Sequence, residues 1–300
     1  MCKIITPVVT IFSENGAIDI EGNKKVIDFL IEGGVDGILV LGSTGEFTNM
    51  TIEQRKKLFR LYSDYNNGRV ELYAGTGCLD AIDTIELTNY ADGLRYKGVM
   101  IIGPYYYGLD QDKIFKYYDR VAKSVKSNIY LYNYPDRSGH TFEPDTVKRI
   151  VNANANVVGM KDSISTPGHF NDIIMKVNNE NFEMYAGFDD QFLYNLTAGG
   201  KGGIGALSNI VPEIWSSLVK AYRNKEFDQT FKLANIIHGM MPIYGLDSNS
   251  SLIIKKLMNY RGLDLNETSI FPFEEISEEN MEYGKKLVDQ ALSQYKQICQ

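Results

Sequence analysis

Short apolar runs alternate along this 300-residue chain with stretches in which apolar side chains recur every three or four positions. The short runs read as strands covered on both faces, the longer spacing as the helices that cover them, and their alternation as repeated βα units. Residues 3–10 form the first predicted strand. A helix capped by Asp19 and running through Ile31 follows, with Val26, Ile27, Leu30 and Ile31 on its inner face. The second strand, 37–41, leads into the turn GSTGEF (42–47), and Thr51 and Gln54 then form a capping box for a helix carrying Leu58, Phe59, Leu61 and Tyr62. Strand three is placed at 70–75, with Asp80 opening the third helix. Strand four, 98–103, precedes three consecutive tyrosines, Tyr105, Tyr106 and Tyr107, and a fourth helix covers 111–125. Strand five, 128–134, ends in YPDRSG, and Pro144 opens a fifth helix. Strand six is 157–163, Pro167 stands early in the next helix, strands seven and eight are 182–188 and 202–207, and a further helix begins near Pro212.

Eight strands and eight helices are complete by Lys225, which favours an α/β fold of the closed (β/α)8 TIM barrel type over residues 1–225 rather than an open doubly wound sheet. From Glu226 the strand signals stop. Helical patterns at 227–240, 251–260 and 276–295 predict a C-terminal helical extension over 226–300, with no low-complexity segment or flexible linker before it.

The sixth strand, VVGMKDS, delivers one lysine, Lys161, at the end of an apolar run. A buried ammonium is costly unless paired and tends to lose its proton, which frees the amine to attack carbonyls. On this segment alone Lys161 is either an imine-forming residue or a lysine just past the strand that snorkels to solvent. In a parallel barrel the C-terminal strand ends meet at one mouth, so polar residues there can surround a substrate. They gather in this chain at Ser43 and Thr44, Tyr105 and Tyr106, Tyr132 with Arg137 beyond it, Lys161, and Asp189 with Asp190. Each has a plainer reading. GSTGE fits a glycine-rich turn as well as a carboxylate site at a helix start, Tyr132 alternates with apolar neighbours as a core residue would, and the tyrosine triplet would serve as a packing patch at a subunit interface.

Charge and composition remove other classes. With 31 Lys and Arg against 38 Asp and Glu, the net charge of -7 and the lack of a basic stripe argue against nucleic acid as a partner. Cys2, Cys78 and Cys299 are too few and too scattered for a disulfide framework or a metal site, which suits a reducing cytoplasm. The N-terminus MCKIITPVVTIF reads as a strand rather than a signal peptide, and no run is long enough to span a membrane. His140, His169 and His238 lack ligand spacing and read as surface or supporting residues, and the acidic stretch 274–282 reads as a solvated helix face.

In combination, GSTGE at 42–46, PYY at 104–106, YNYP at 132–135, GMKD at 159–162 and GGIG at 202–205 resemble the pyruvate-dependent class I aldolases and lyases that include dihydrodipicolinate synthase, N-acetylneuraminate lyase and the 2-keto-3-deoxy sugar acid aldolases. The resemblance covers the chain from strand one into the helical tail. It implies that Lys161 forms an imine with the keto acid and that Tyr132 moves protons as general acid and base. It assigns the pyruvate carboxylate to Ser43 and Thr44, with Thr44 also in a hydroxyl relay to Tyr132. It further implies that Tyr106 completes that relay in the neighbouring subunit of a tight dimer, and that the carbonyl of Ile204 lies near the imine. Such chemistry needs no metal or organic cofactor, since the covalent imine with the substrate is itself the electron sink. The family habit is a homo-oligomer, commonly a tetramer built as a dimer of dimers.

Substrate choice divides the resemblance. Arg137 matches the arginine with which dihydrodipicolinate synthase holds the carboxylate of aspartate semialdehyde, and Gly103 departs from the threonine usual there. The sequence GFDD, Gly187 to Asp190, is similar to the sugar-acid and sialic-acid enzymes, and GEF and KDS, ending at Phe47 and Ser163, also look like the keto-deoxy-sugar-acid aldolases. Ala206, where sialic acid lyase has a serine, lowers that last reading. Gly187, Asp189, Asp190 and Ser163 thus join Arg137 as expected substrate contacts, two acidic groups suiting a polyhydroxylated chain. The favoured expectation is reversible cleavage of a 2-keto-3-deoxy sugar acid to pyruvate and an aldehyde. The alternative is condensation of pyruvate with aspartate semialdehyde. A catalytically silent barrel acting as a small-molecule sensor is disfavoured because every main motif position holds a competent residue.

Overall fold

The computed structural model describes residues 2–269 and 275–299. Eight parallel strands close into a barrel in sequence order: β1 (Lys3–Pro7), β2 (Gly37–Val40), β3 (Glu71–Gly75), β4 (Gly98–Ile102), β5 (Ile129–Asn133), β6 (Val157–Asp162), β7 (Glu183–Ala186) and β8 (Gly202–Gly203). Closure comes from β1 pairing with β8, Lys3 opposite Gly202 and Ile4 opposite Gly203. Only glycine fits at 202, because a Cβ there would lie 1.9 Å from the Lys3 carbonyl oxygen at φ 137°.

The helices around the barrel are α1 (Ile20–Glu32), α2 (Ile52–Asn66), α3 (Ala81–Gly93), α4 (Gln111–Ser124), the single turn α5 (Pro135–Ser138), α6 (Pro144–Ala153), α7 (Gly168–Val177), the short α8 (Phe192–Thr197) and α9 (Pro212–Arg223). Asp19 caps α1 by accepting from Gly22 N, and Thr51 with Gln54 makes the expected reciprocal box on α2. Pro144 therefore opens the sixth helical segment rather than the fifth, since the sequence pattern gave no sign of the turn at α5. Beyond the barrel lie α10 (Phe227–Gly239), α11 (Ser250–Tyr260) and α12 (Glu278–Ile298). Of the acidic stretch at 274–282, Glu274 lies outside the described residues. No helix among the described residues is long and apolar enough to cross a membrane.

Each expected strand is longer than the observed one, and β1 and β8 show why. Residues 8–10 are as buried as β1, and Val8 N still donates to Leu39 O, but from Val9 the chain has left the sheet: Val9 N donates to Asn209 Oδ1, and Ile11 N to Asn23 Oδ1. After Ile204 N donates to Ala186 O, the chain following β8 turns into a 3₁₀ segment at Ala206–Asn209. Apolar runs report burial, and burial continues past the last strand-to-strand bond.

Inside the barrel, Ile5, Leu39, Tyr73, Met100, Tyr130, Tyr185 and Ile204 form a packed core distinct from the larger one between sheet and helices. Its tyrosine hydroxyls reach the N-terminal end of the barrel, where Tyr130 Oη donates to Glu183 Oε2 at 2.6 Å and Tyr73 Oη to Glu71 Oε2 at 2.9 Å. Lys3 and Lys97 pair with Glu71 at the same end. That end is plugged, and the cavity lies at the other.

Candidate active site

A cavity of about 610 Å³ opens at the C-terminal mouth of the barrel. Lys161 lies at its base near the end of β6, only 4% exposed, and its Nζ donates to Tyr132 Oη at 3.3 Å. The juxtaposition follows from strand register. Ile129 pairs with Val157, but the next pair is Tyr130 with Gly159, so one extra residue on β6 is absorbed and Lys161 comes to stand opposite Tyr132. Gly159 permits this: a Cβ there would lie 2.4 Å from Glu183 O and 2.6 Å from the Tyr130 ring. Lys161 Nζ also sits 4.3 Å from the centroid of the Tyr132 ring.

The hydroxyl partner of Tyr132 is Ser43, with Oγ and Oη 3.3 Å apart. Thr44, expected in that relay, follows in the same 3₁₀ turn, Ser43–Gly45, and lines the cavity without a hydrogen bond to Tyr132. Successive residues of such a turn point in different directions, and the first one leaving β2 is the one aimed at β5. The turn is bracketed by left-handed residues, Leu41 at φ 60° and Glu46 at φ 58°, which reverse the chain over the mouth.

Arg137, on α5, lines the cavity with its guanidinium 5.8 Å from the Tyr134 ring. Ser163, Gly187, Asp190 and Ile204 line it too. Gly187 and Ser163 are fitted to each other, since a Cβ on Gly187 would fall 1.9 Å from Ser163 Oγ. Two expected residues are not brought to this chain's cavity. Tyr106 is 82% exposed at φ 82°, packed edge-on to Tyr107, and its neighbour Tyr105 lines the cavity instead. Asp189 is 2% exposed and turned into the protein, where Oδ2 accepts from Tyr244 Oη at 2.5 Å and Oδ1 lacks a partner among the described residues. Burial pushes the Asp189 carboxyl up to about 7, against the opposing effect of the Tyr244 hydrogen bond.

One histidine takes the supporting role read for it, and two further groups around the site escaped the sequence pattern. His169, read as surface or supporting, braces the residue after the lysine: its Nδ1 is 2.6 Å from Asp162 Oδ2 and its Nε2 2.8 Å from Phe142 O. Burial lowers the imidazole's proton affinity, but the hydrogen bond and charge of Asp162 outweigh it and hold the pKa above the usual histidine range. Tyr244 enters from the segment after α10, where Ala206 N donates to its oxygen at 3.1 Å. Lys255, on α11, is fully buried against Glu46 of the GSTGEF turn, 2.5 Å from Oε1. Its signal was present in the sequence, a lysine among Leu252, Ile254 and Met258 on an apolar helix stripe.

A buried amine beside a phenol that is relayed to a second hydroxyl, at the base of a polar cavity carrying an arginine, is a site equipped to form an imine and move a proton. The dihydrodipicolinate synthetase family model matches residues 1–291. YagE of Escherichia coli K12, provisionally assigned as a 2-dehydro-3-deoxy-D-gluconate aldolase, is 32% identical over 96% of this chain and 96% of its own. A 4-hydroxy-tetrahydrodipicolinate synthase of Methanococcus vannielii is 31% identical over 93% of this chain and 95% of its own. The crystal structure of YagE in complex with pyruvate superposes with a TM-score of 0.94 over 97% of this chain and 99% of that one, at 32% identity. The chain belongs to the dihydrodipicolinate synthetase family of lyases.

Proposed function

We propose that this protein is a class I aldolase that reversibly cleaves a 2-keto-3-deoxy sugar acid to pyruvate and an aldehyde. The observation that carries the reading is Lys161 Nζ held 3.3 Å from Tyr132 Oη at the base of the cavity. The Lys161 amine attacks the C2 keto carbon and water leaves, giving a protonated imine. Tyr132, relayed to Ser43, takes the proton of the C4 hydroxyl as the C3–C4 bond breaks. The bonding pair flows into the imine as an enamine, and the aldehyde departs. Protonation at C3 and hydrolysis then release pyruvate and restore the amine. Neither a metal nor an organic cofactor is needed in this scheme.

Thr44 and Ser43 are assigned to the pyruvate carboxylate, and Ser163, Gly187 and Asp190 to the hydroxylated chain, with Arg137 at its distal end. Asp189 acts from behind this wall rather than as a sugar contact, because its carboxylate is turned away from the cavity. The sugar-acid reading draws on YagE and on a second E. coli relative, YjhH, provisionally assigned as a 2-dehydro-3-deoxy-D-pentonate aldolase and 33% identical over 92% of both chains. The enzyme works in the cytoplasm as a homo-oligomer, a dimer of dimers in which Tyr106 serves the neighbouring site.

One observation favours a second reading. Arg137 at the cavity wall suits the carboxylate of aspartate semialdehyde, whose condensation with pyruvate is the reaction of the synthases in the family. The test is pyruvate release from 2-keto-3-deoxygluconate and 2-keto-3-deoxypentonates beside condensation of pyruvate with the semialdehyde, each with wild type and Lys161→Ala. Lysine-dependent release from the sugar acids alone is the expected result. Lysine-dependent condensation alone would overturn it in favour of the synthase.

A further inference from the structure

The turn that carries Ser43 and Thr44 also carries a carboxylate, Glu46, which borders the same cavity. A carboxylate is a poor neighbour for a site that must admit a keto acid, because two like charges in a partly dry pocket repel strongly. Glu46 is 7% exposed, and both of its oxygens are engaged: Oε1 by Lys255 Nζ at 2.5 Å and Oε2 by Ser269 Oγ at 3.2 Å. Lys255 is fully buried, gives a second hydrogen bond to Thr268 O at 3.2 Å, and has its ammonium 5.0 Å from the Phe12 ring. The lysine comes from α11, 209 residues away in sequence, so the helical extension supplies the counter-charge to a loop of the barrel.

We propose that Lys255 is a positioning and charge-masking residue: by pairing with Glu46 it cancels the negative charge beside the keto-acid carboxylate site and locks the GSTGEF turn in its left-handed course. The inference rests on the imine reading of the site and adds to it a role for the extension. A purely structural pair would cost stability when broken but would leave pyruvate binding in the folded enzyme unchanged. A masking pair makes a different demand. Removing the lysine alone leaves Glu46 without its counter-charge beside the incoming carboxylate, whereas neutralising both partners removes the repulsion again. Exchange of a whole buried pair for neutral groups of similar volume is also the change such sites tolerate best.

The test is borohydride trapping of the pyruvate imine in the full-length protein, followed by mass spectrometry over a range of pyruvate concentrations. Lys255→Met is expected to raise half-saturating pyruvate by about tenfold or more with the trapped fraction at saturation retained. Glu46→Gln/Lys255→Met is expected to return it to within roughly threefold of wild type. If Lys255→Met does not fold, Lys255→Gln, which keeps polar contacts and drops the charge, carries the same expectation. A folded single variant that saturates like wild type, or a double variant as impaired as the single one, overturns the masking role. Failure of the wild type to trap pyruvate overturns the imine reading, and this inference with it.

Discussion

Asp189 holds the sharpest conflict between burial and charge in the site. Folding lifts its carboxyl from an ordinary 3.8 to about 7, because a fully buried carboxylate loses more hydration than the Tyr244 hydrogen bond returns. Between about pH 4 and pH 7 the native state therefore keeps a proton that the unfolded chain has already given up. Stability from this group is present at the acid end of the window and is lost as pH rises through it, at a slope of at most about 1.4 kcal/mol per pH unit, with no further change above. Asparagine can keep the contact with Tyr244 but does not titrate. Asp189→Asn is accordingly expected to gain on wild type steadily from pH 4 to 7 in urea-unfolding free energy and to hold a constant lead above that. A difference that stays flat across the whole range would show that the carboxyl does not carry the proton.

At the level of elements, the lysine–tyrosine pair depends on how β6 lies on β5. The one-residue shift between the Ile129 and Tyr130 pairs is what sets Lys161 opposite Tyr132, and Gly159 makes room for it between Glu183 O and the Tyr130 ring. Gly159→Ala places a methyl where neither backbone nor ring can give way. It is expected to cost about 1–3 kcal/mol of unfolding free energy and to slow imine trapping by separating amine from phenol. Gly168→Ala is the control, since nothing lies within 4 Å of the added atom at the start of α7. Equal stability of the two variants would mean that the close approach at Gly159 is not real. Apart from the single turn α5, the strands and helices themselves were legible, because each is a local period of apolar residues, and so were Ser43, Tyr132 and Lys161, which sit inside compact motifs at strand ends. The register was not. YLYN and GMKD alternate acceptably in either alignment, and the choice is made by the fit of the Tyr130 ring against a glycine on another strand.

At the scale of the molecule, the residues that sequence reading missed come from the extension or from its contacts. Tyr244 and Lys255 lie far along the chain from Asp189 and Glu46, and no local pattern links them. At this scale Tyr106 stands out: it is 82% exposed and does not line its own cavity, and Tyr107, Leu79 and Ile82 are exposed beyond the C-terminal ends of β3 and β4. Surface of that kind fits an isologous contact in which each copy completes the other's site. Lys161→Ala removes the amine but leaves Tyr106 intact, and Tyr106→Phe does the reverse. In a mixed dimer, the Tyr106→Phe subunit keeps its lysine and receives a native tyrosine from its partner, so one of the two sites is whole. Random reassembly of equal amounts is expected to recover about a quarter of the wild-type sites, well above the mean of the two parents. Activity of the reassembled mixture equal to that mean would place Tyr106 outside the relay, and the exposed tyrosines would then serve only to pack one subunit against another.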